Sequence, residues 1–568
     1  MKKSLSNYWK IGLTILLGLA VFLFWRYRYP FALTYQEQLQ LFLFDGDYFC
    51  ERMTEPGGFA RYVAEFLTQF YNSVTIGAVV LAVVFMLVQR LTWRVMPRSA
   101  QFYALSFIPV VMLWYAMGDE SVLLTYSVAL VIALGIPGIL GNIGRQGYLR
   151  FLVGIIASPL LYWLIGPMVL LVAVMLSPWP LATAAVLLSL ACIFASAWIL
   201  PYPLMRLMLG VGYYRFPEML PYVLMVIPMV IWGLQRLLCM RIVREMKVNR
   251  PIFVGTFAVV AVAGLLLVPS GFDVKKYELI EYDYLVRVKD WDGVIAKAER
   301  QTPDLPMSVS ATNLALAMTN QLGERAFDFY QRGSEGLLPK FERNFATTQL
   351  TGEIYFHLGL VNTAQRFAFE AMEAIPNYNK SARVVKRLVE TNLINGQYKV
   401  AEKYLKMLEK TIFYRPFAQR VMAMLGDEKA INAHPLYGTL RQYQLKEDFL
   451  FSDRELDKIC GQLFMHNHQN QMAAQYLLMA PLLDRDIPRF MQYVQYVQSQ
   501  IQYNPRSCQE AIAFAFMQQR QQPPQGLLSP MMLQRMNEFT RIYSSGGRDA
   551  ASLAQFRNTV WYYLTVGK

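Results

Sequence analysis

Charged residues and cysteines are scarce in this chain. Only 17% of its 568 residues are Asp, Glu, Lys or Arg, whereas 55% are hydrophobic, and the mean hydropathy is +0.26. Soluble globular domains carry about 25% charged residues, so this composition excludes an ordinary soluble enzyme. The five cysteines are odd in number and form no CxxC pair. Neither a zinc site nor a disulfide framework is therefore predicted.

Several motifs that mark enzyme chemistry are absent as well. The chain has no GxxxxGK[ST] phosphate loop, no HExxH, no GxSxG elbow and no protein kinase signature. ATP hydrolysis, zinc proteolysis and α/β-hydrolase chemistry are therefore not expected. The HxH pair of His466 and His468 is more typical of a solvated helix end than of a metal site.

Long apolar runs occupy the first half of the chain. Each is close to the length that crosses a hydrocarbon core of about 30 Å, so we predict a polytopic membrane domain of about eight spans over residues 1–270. The first run follows Lys2 and Lys3 but lacks a small-residue cleavage site, which predicts an uncleaved anchor. The runs lie at residues 11–25, 74–89, 102–117, 122–140, 151–176, 181–200, 221–235 and 252–269.

Positive charge flanks many of these runs, and the formal net charge is +14. Cytoplasmic loops of membrane proteins carry such an excess of Lys and Arg, so Lys2, Lys3 and Lys10 place the amino terminus in the cytoplasm. In a soluble protein this charge would favour nucleic acid, but no nucleic-acid-binding motif accompanies it here. Nucleic acid is therefore not predicted as a partner.

One basic loop conflicts with a single crossing per run, because it would fall outside the cytoplasm. The Pro-rich stretch 201–220 is the expected place of an extra crossing or of a re-entrant segment, and the latter would indicate a site. We expect an odd number of crossings, which places the second half of the chain outside the cytoplasmic membrane. The cations of the basic loop are Arg236, Arg241, Arg244, Lys247 and Arg250.

Helical periodicity continues beyond residue 275, so an all-α fold is predicted for the whole chain. Helix-to-helix turns recur over residues 276–415 at intervals of 32, 36 and 37 residues, which predicts helix pairs stacked in an α-solenoid. Residues 416–568 are helical in pattern but show no clear register. The turns are marked by Trp291, Gly323, Gly359 and Gly396.

One unit of this region resembles a tetratricopeptide repeat. Gly359, Ala364 and Pro376 match the turn glycine, the small residue and the closing proline of that family, and Gly396 with Ala401 repeats the first two. The resemblance implies a concave face that binds a peptide or a partner protein. A structural cap over the membrane domain is the alternative.

Acidic and aromatic residues are concentrated in the first outward loop, residues 26–72. Carboxylates among aromatic side chains beside a bilayer are costly unless they are used or paired. Asp45 and Asp47 lie in this loop, and Asp119 with Glu120 lies in the turn after the third run, on the same side. Any chemistry is predicted to occur on this face; solvated or helix-capping carboxylates are the alternative.

This organisation resembles the membrane-embedded GT-C glycosyltransferases, some of which also carry tetratricopeptide repeats. The resemblance implies that Asp45 or Asp47 is the base that activates the acceptor, and that Asp119 and Glu120 support it or bind a divalent metal. The two aspartates depart from the family because a glycine separates them, where the family has an adjacent acidic pair. Sugar transfer from a lipid phosphate also needs cations for the leaving phosphate, for which the candidates are Arg26, Arg28, Arg52, Arg61 and Arg215.

Residues 35–69 also resemble polytopic envelope proteins of Bacteroidota, which carry a similar Pro-Gly-Gly followed by Phe-Leu-Thr-Gln-Phe. That resemblance transfers no activity but favours a bacterial inner membrane, with the repeats in the periplasm.

Two hypotheses for the function follow. The first is an inner-membrane GT-C-type glycosyltransferase that uses a polyprenyl-phosphate sugar and docks its acceptor or a partner on the repeats. The second is a noncatalytic, membrane-anchored scaffold for envelope assembly or secretion. A transporter is disfavoured because the apolar runs are nearly free of ionisable residues.

Overall fold

Helices form almost all of the ordered structure. The computed structural model describes residues 2–96, 100–140, 147–176, 181–215, 222–240, 243, 250–342, 344–375, 379–445, 455–521, 528–547, 549 and 551–566. Within these ranges there are helices and turns but no β-strand, so the predicted all-α fold is confirmed.

Contacts divide the chain into two compact units. Unit 1 consists of Met1–Tyr277, Pro376–Ala382 and Lys410–Arg415, and unit 2 consists of Glu278–Ile375, Arg383–Glu409 and Pro416–Lys568. The three predicted domains, residues 1–270, 276–415 and 416–568, stay predictions, since unit 1 also takes in two short segments of the second half.

Unit 1 is built from apolar helices. Within the described residues, six helices are long and apolar enough to cross a membrane, and there are two shorter apolar helices. Each predicted apolar run falls on one of these eight, which indicates a membrane protein. The six are Tyr8–Arg28, Val74–Val95, Ile156–Met175, Ala182–Ile199, Tyr222–Cys239 and Arg250–Ser270, and the shorter two are Gln101–Ala116 and Leu124–Gly138.

The backbone geometry gives the bounds of the other helices of unit 1, some of which are loop helices and some of which coincide with parts of the apolar helices above. Before the second span come Pro30–Gln38, Gly46–Arg52 and Gly58–Thr68. By backbone geometry the later elements are Ile108–Ala116, Leu124–Leu140, Gly147–Ile165, Val169–Leu176, Leu181–Ile199 and Leu204–Leu209.

The core of unit 1 forms around Val74–Val95, in which Leu81, Phe85 and Val88 are fully buried. Apolar side chains also cover the outside of the unit: Trp198 is 93% exposed and Leu265 is 76% exposed. In water such a surface would promote aggregation, whereas hydrocarbon solvates it, so the exposed side chains support a bilayer environment.

Two ends of the helix bundle in unit 1 are distinguished by their residues. At one end Trp9 packs on Phe253 with ring centroids 5.0 Å apart, and the Lys10 ammonium lies 5.0 Å from the Trp93 ring. We call this the basic end. At the other, the loop end, Tyr29 stacks on Phe272 at 4.5 Å.

The prediction of one crossing per apolar run is wrong for the run 151–176, because the chain bends at Gly166. Its φ of +61° ends the helix Gly147–Ile165 at the loop end, where the Gly57 N–H donates to the Trp163 carbonyl over 2.8 Å. The helix Val169–Leu176 then runs back toward the basic end. Its Val174 carbonyl accepts at 3.4 Å from a side-chain N–H of Arg236, which lies near the end of the helix Tyr222–Cys239. Hydropathy does not reveal this bend, because both sides of it are apolar.

This bend removes the conflict in the charge pattern. The helix Tyr222–Cys239 starts at the loop end, where the Tyr126 hydroxyl donates to the Leu224 carbonyl over 2.7 Å. Arg250 starts the helix that carries Phe253 at the basic end. The end of the first of these helices and the start of the second therefore lie at the basic end with Lys10, where the excess of cations is expected. Arg241, Arg244 and Lys247 of that loop lie outside the described residues.

Unit 2 consists of helices that pack on their neighbours along the chain, and several of them, such as Gln471–Leu483, are buried almost throughout. Phe345–Leu358 packs on Val361–Glu373, and Leu456–His466 packs on Gln471–Leu483. Its other helices are Trp291–Arg300, Pro306–Met318, Leu322–Arg325, Tyr398–Glu409, Glu428–Ala433, Tyr437–Tyr443, Ile487–Gln500, Arg506–Gln518, Pro530–Ser544 and Val560–Thr565. Three helices begin with residues of unit 1 and continue in unit 2: Val274–Val288, Ala382–Ile394 and Arg415–Met422.

The repeat-like turns agree with helix pairs but do not establish the family. Gly359 ends its helix in the left-handed conformation, and Ala364 and Ala401 are fully buried where helices approach. Pro376 lies outside the described residues. The identity as tetratricopeptide repeats therefore stays a prediction.

Gly359 and Gly396 give a matched test of these turns. Both have positive φ, +98° and +72°, but a Cβ at Gly359 would lie 2.6 Å from the Tyr443 Cβ, whereas a Cβ at Gly396 meets nothing within 4 Å. We expect Gly359→Ala to destabilise the protein by about 2–3 kcal/mol and Gly396→Ala by about 1 kcal/mol. Denaturant unfolding of the purified variants measures both, and equal losses would contradict the account.

Candidate functional site

A buried ion-pair cluster organises the first outward loop of unit 1. Glu65 lies at its centre and is 3% exposed. One of its carboxylate oxygens accepts from the Tyr48 hydroxyl at 2.5 Å and from Arg52 Nε at 2.7 Å, and the other accepts from Arg61 Nε at 3.0 Å. Arg61 and Glu65 are four residues apart on the helix Gly58–Thr68, so that helix presents both side chains to the same face.

A second set of contacts closes the cluster. Arg61 Nη1 donates to Glu55 at 2.6 Å, and Arg61 Nη2 donates to the Asn379 side-chain oxygen at 2.9 Å. Arg52 donates to the same oxygen at 3.4 Å, and the Tyr202 hydroxyl donates to Glu55. The cluster therefore ties the first loop to two distant parts of unit 1.

The cluster keeps its charges. Burial opposes ionisation of Glu65, but Arg61 and Arg52 outweigh it and hold the pKa of Glu65 below its usual value. Burial also opposes the charge of Arg61, and Glu65 outweighs it, so the pKa of Arg61 is raised. Arg52 and Arg61, predicted to hold a substrate phosphate, are thus occupied by internal carboxylates, and their geometry favours a positioning role.

Asp45 and Asp47 lie at the start of the helix Gly46–Arg52. The Asp45 carboxylate forms an ion pair with Lys410, and the hydrogen bond from that lysine lowers the Asp45 pKa. Asp47 is exposed in the first turn of the helix and makes no side-chain hydrogen bond to the described residues.

Asp119 and Glu120 lie in the turn after the third span. One Asp119 carboxylate oxygen accepts from the Ser121 N–H at 2.9 Å. Glu120 is 5% exposed and forms an ion pair with Lys276. The second oxygen of Asp119 has no hydrogen-bond partner within the described ranges, whereas the charge of Glu120 is neutralised by Lys276.

A short extended segment lies alongside this turn. Val122 forms an antiparallel bridge with Tyr214, the Leu123 N–H donates to the Tyr213 carbonyl at 2.9 Å, and the Arg215 N–H donates to the Ser121 carbonyl at 2.8 Å. The structure thus brings together three of the predicted site residues: Asp119, Glu120 and Arg215.

The Arg215 side chain is buried and only partly satisfied. It is 5% exposed, its Nη2 donates to the Gln36 carbonyl at 3.4 Å, and its Nη1 has no partner among the described residues. Burial lowers the pKa of Arg215 to about 10, opposed by Tyr35, Glu120 and Asp119. The guanidinium is therefore still charged at neutral pH and presents a free N–H.

A cavity of about 320 Å³ adjoins the same segment. Its walls are almost entirely apolar, and they include Tyr126, Met168, Leu171, Tyr213, Tyr214 and Leu224. The Tyr214 hydroxyl is buried without a partner among the described residues, whereas the Tyr213 hydroxyl donates to the Ile165 carbonyl. The cavity is thus apolar along its length and carries one unused hydroxyl beside Arg215.

A second cation, Arg206, lies on a helix that contributes to the cavity wall. Arg206 lies on the helix Leu204–Leu209, whose Met208 and Leu209 line the cavity, and its Nη2 is buried without a partner among the described residues. Its guanidinium lies 5.3 Å from the Tyr202 ring. Arg206 and Arg215 therefore lie directly before and after residues 207–214 in the sequence, and each has an N–H donor without a partner among the described residues.

The other predicted cations lie elsewhere. Arg26 and Arg28 lie at the end of the first span, against the rings of Tyr27 and Tyr29 at 5.2 and 5.5 Å, and neither lines the cavity. In the described part of the chain no three His, Cys, Asp or Glu residues are grouped to hold a metal ion.

Glu65, Tyr48, Arg206 and Tyr214 are not among the predicted site residues, although Arg206 and Tyr214 lie in the stretch 201–220, which would indicate a site if it were re-entrant. The i, i+4 spacing of Arg61 and Glu65 is a signal for the first, whereas burial of Tyr214 depends on the bridge to Val122, which has no local signal.

A model of the family DUF6057, described as a family of unknown function, matches residues 7–567. No curated protein and no solved structure matches the chain. The glycosyltransferase resemblance therefore stays a prediction.

Proposed function

The chain belongs to DUF6057, a family of unknown function, and we propose that it is a GT-C-type glycosyltransferase that takes a polyprenyl-phosphate sugar. The observation that supports this proposal is the junction of an apolar cavity, which Tyr213 and Tyr214 line, with Arg215, the next residue along the chain. The Arg215 Nη1 has no partner among the described residues, and its backbone N–H bonds to Ser121 in the turn that carries Asp119. This junction has an apolar part for a lipid chain, a cation for a phosphate and a base for an acceptor.

The cavity suits one end of a lipid chain. Its volume of about 320 Å³ is at the lower limit of small-molecule pockets, and its walls are helices that face the hydrocarbon in a membrane. An isoprenoid chain is apolar and branched, so the Met, Leu and Tyr side chains of the walls contact it without loss of hydrogen bonds. The rest of a long chain extends into the bilayer.

The two guanidinium groups suit the phosphate. Arg215 directly follows the cavity residue Tyr214, and Arg206 lies two residues before the cavity residue Met208; each has an N–H without a partner among the described residues. An oxyanion accepts such donors in short, charge-assisted hydrogen bonds, which are stronger than neutral ones. The donors that we assign to the leaving phosphate are therefore Arg215 and Arg206, rather than Arg52 and Arg61.

Asp119 is the base in this proposal. Its unpaired oxygen takes the proton of an acceptor hydroxyl while the acceptor oxygen bonds to the anomeric carbon of the sugar. The bond between that carbon and the phosphate oxygen breaks, and the lipid phosphate leaves with the bonding electron pair. Arg215 stabilises the negative charge that develops on this phosphate. Glu120, paired with Lys276, holds the turn in place.

We propose a bacterial inner membrane with the basic end of unit 1 in the cytoplasm. Lys10 and Arg250 at that end support this orientation through the distribution of Lys and Arg in membrane proteins. Asp119 at the loop end and unit 2 are then periplasmic, and unit 2 docks the acceptor or a protein partner.

A noncatalytic scaffold is the second candidate. Four acidic residues of the loop end, Glu37, Asp45, Glu65 and Glu120, are each held by an internal donor. Such pairing favours a structural role for each of them, whereas one carboxylate oxygen of Asp119 has no partner among the described residues. Binding of a lipid phosphate therefore distinguishes the transferase from the scaffold.

We expect the protein to prefer a lipid phosphate over the corresponding alcohol. Binding of polyprenyl phosphate and of polyprenol of equal length to the full chain in nanodiscs measures this preference. A charge-assisted hydrogen bond contributes about 1.5–3 kcal/mol, so Arg215→Gln should weaken binding of the phosphate by about 10- to 100-fold and leave the alcohol unchanged.

Arg236→Gln is the control, because Arg236 is exposed at the basic end. Arg206→Gln repeats the test with a less buried residue. Equal binding of the two lipids by the unmodified protein would contradict the proposal and favour the scaffold.

A further inference from the structure

Unit 2 contains a second pocket, which is polar and aromatic. Its volume is about 370 Å³, within the range of small-molecule sites. Two stretches of chain line it: residues 327–331, and the carboxyl-terminal segment with Arg557, Tyr562 and Tyr563. We propose that this pocket binds a neutral saccharide.

The walls of the pocket are held in place by internal contacts. The Tyr563 hydroxyl donates to the Leu483 carbonyl at 2.7 Å, and the Phe327 ring lies 5.3 Å from that of Tyr563. Gln331 is 3% exposed and exchanges hydrogen bonds with Asn313 at 2.9 and 3.1 Å. These contacts fix the aromatic surface before any ligand arrives, which lowers the entropic cost of binding.

The charges around the pocket balance. Asp328 lies 3.3 Å from Arg506 and 3.8 Å from Arg325. Those two arginines are paired in turn with Glu510 at 3.1 Å and with Glu299 at 2.5 Å. With Arg557 the pocket therefore has as many cations as anions, and it favours neither an anionic nor a cationic ligand.

Donors and acceptors remain for a ligand. The hydroxyls of Tyr330 and Tyr562 and the Arg557 guanidinium form no hydrogen bond within the described ranges, and Asp328 is partly exposed. A purely apolar ligand would leave these groups desolvated and unpaired, at a cost. A saccharide offers hydroxyls that both donate and accept, and apolar C–H faces that pack on aromatic rings. It matches the pocket on both counts.

This inference does not rest on sugar transfer in unit 1, because the pocket and its charges belong to unit 2 alone. A protein that binds a saccharide here but fails the lipid test is a glycan-binding scaffold. A protein that passes the lipid test but binds no saccharide would refute this inference and leave the transferase proposal standing.

The test uses the full chain in an amine-oxide detergent, because glucoside and maltoside detergents would compete for the pocket. The probes are neutral hexose and N-acetylhexosamine disaccharides and tetrasaccharides, together with a uronic-acid disaccharide of equal size. Saturation-transfer NMR detects binding, and calorimetry gives the affinity. We expect at least one neutral probe to bind and the uronic acid to bind at least tenfold more weakly.

Tyr330→Ala and Arg557→Ala should each weaken binding of the neutral probe by at least tenfold. Tyr404→Ala and Arg366→Ala are matched controls in unit 2, since Tyr404 is half-buried and Arg366 is exposed, and neither lines the pocket. Arg557 is exposed, so its removal tests the site without disturbing the fold. Absence of binding by every neutral probe at millimolar concentration, or preference for the uronic acid, would overturn the inference.

Discussion

Glu65→Gln should destabilise the protein by about 3–5 kcal/mol, the typical cost of removing one partner from a buried ion pair. The substitution keeps the size of the side chain but removes the charge that Arg52 and Arg61 share. Both guanidinium groups are buried, at 7% and 3% exposure, so neither gains water in compensation. Thermal unfolding of the purified protein in detergent measures the loss.

Glu51→Gln is the control for this prediction. Glu51 contacts Arg52 at 3.0 Å, but its side chain is 66% exposed, and exposed pairs contribute about 0–1 kcal/mol. A small effect for Glu51→Gln beside a large one for Glu65→Gln would establish that burial gives the cluster its importance. Equal effects would contradict the account.

The cluster also predicts a dependence on pH. The pKa of Glu65 is lowered on folding, from an ordinary value of 4.5, so the folded state binds this proton less readily than the unfolded state. The contribution of Glu65 is therefore fully present above pH 4.5 and is lost as the pH falls through the lower folded value. Glu65→Gln should reduce the loss of stability on acidification.

The second large effect is expected at Asp119. If Asp119 is the general base, Asp119→Asn should lower sugar transfer by about 10²- to 10⁴-fold. The asparagine oxygen still accepts from the Ser121 N–H, so the turn and the insertion of the protein should be preserved. Complementation of a deletion strain, with a glycan profile of the envelope and verified protein levels, measures the effect.

Asp45→Asn and Asp47→Asn separate this prediction from the one that the sequence alone favours. Asp45 is paired with Lys410, which lowers its pKa and makes it a weaker base, and Asp47 is exposed to solvent in the first turn of the helix Gly46–Arg52. We expect both single variants and the double variant to retain the glycan. Loss of the glycan in these variants, with Asp119→Asn unaffected, would return the base to the first loop.

Local signals predicted the helices well. The apolar runs gave the membrane-spanning helices because a span needs about 20 apolar residues and this chain has no other use for such runs. Gly359 predicted a helix end because the left-handed conformation that closes the helix favours glycine.

The long-range contacts could not be predicted from the sequence. Asn379 lies 327 residues from Arg52 along the chain, and Lys410 lies 365 residues from Asp45, yet each pair is in contact within unit 1. Nothing near Asp45 in the sequence shows that its charge is neutralised. The bend at Gly166 could not be predicted either, because hydropathy depends on composition and not on the backbone angle φ.

The candidate site was predicted only in part. Arg215 and Asp119 were named from the sequence, but the cavity beside the segment that ends at Tyr214 is formed by Tyr126 and by residues within 167–174, 208–214 and 224–232. Arg52 and Arg61 were named for the same reason, a cation near an acidic loop, and the structure gives them internal partners instead. Composition therefore identifies candidate residues, and only packing shows which of them still have a free donor or acceptor.

The most direct test of the central claim, that unit 1 binds a lipid phosphate beside Arg215 and Asp119, is native mass spectrometry of the full chain extracted from its own membrane. We predict that the unmodified protein carries a bound lipid with the mass of a polyprenyl phosphate or its sugar conjugate, and that Arg215→Gln loses this lipid. An unmodified protein that carries only the bulk phospholipids of the membrane, in the same amounts as Arg215→Gln, would contradict the claim.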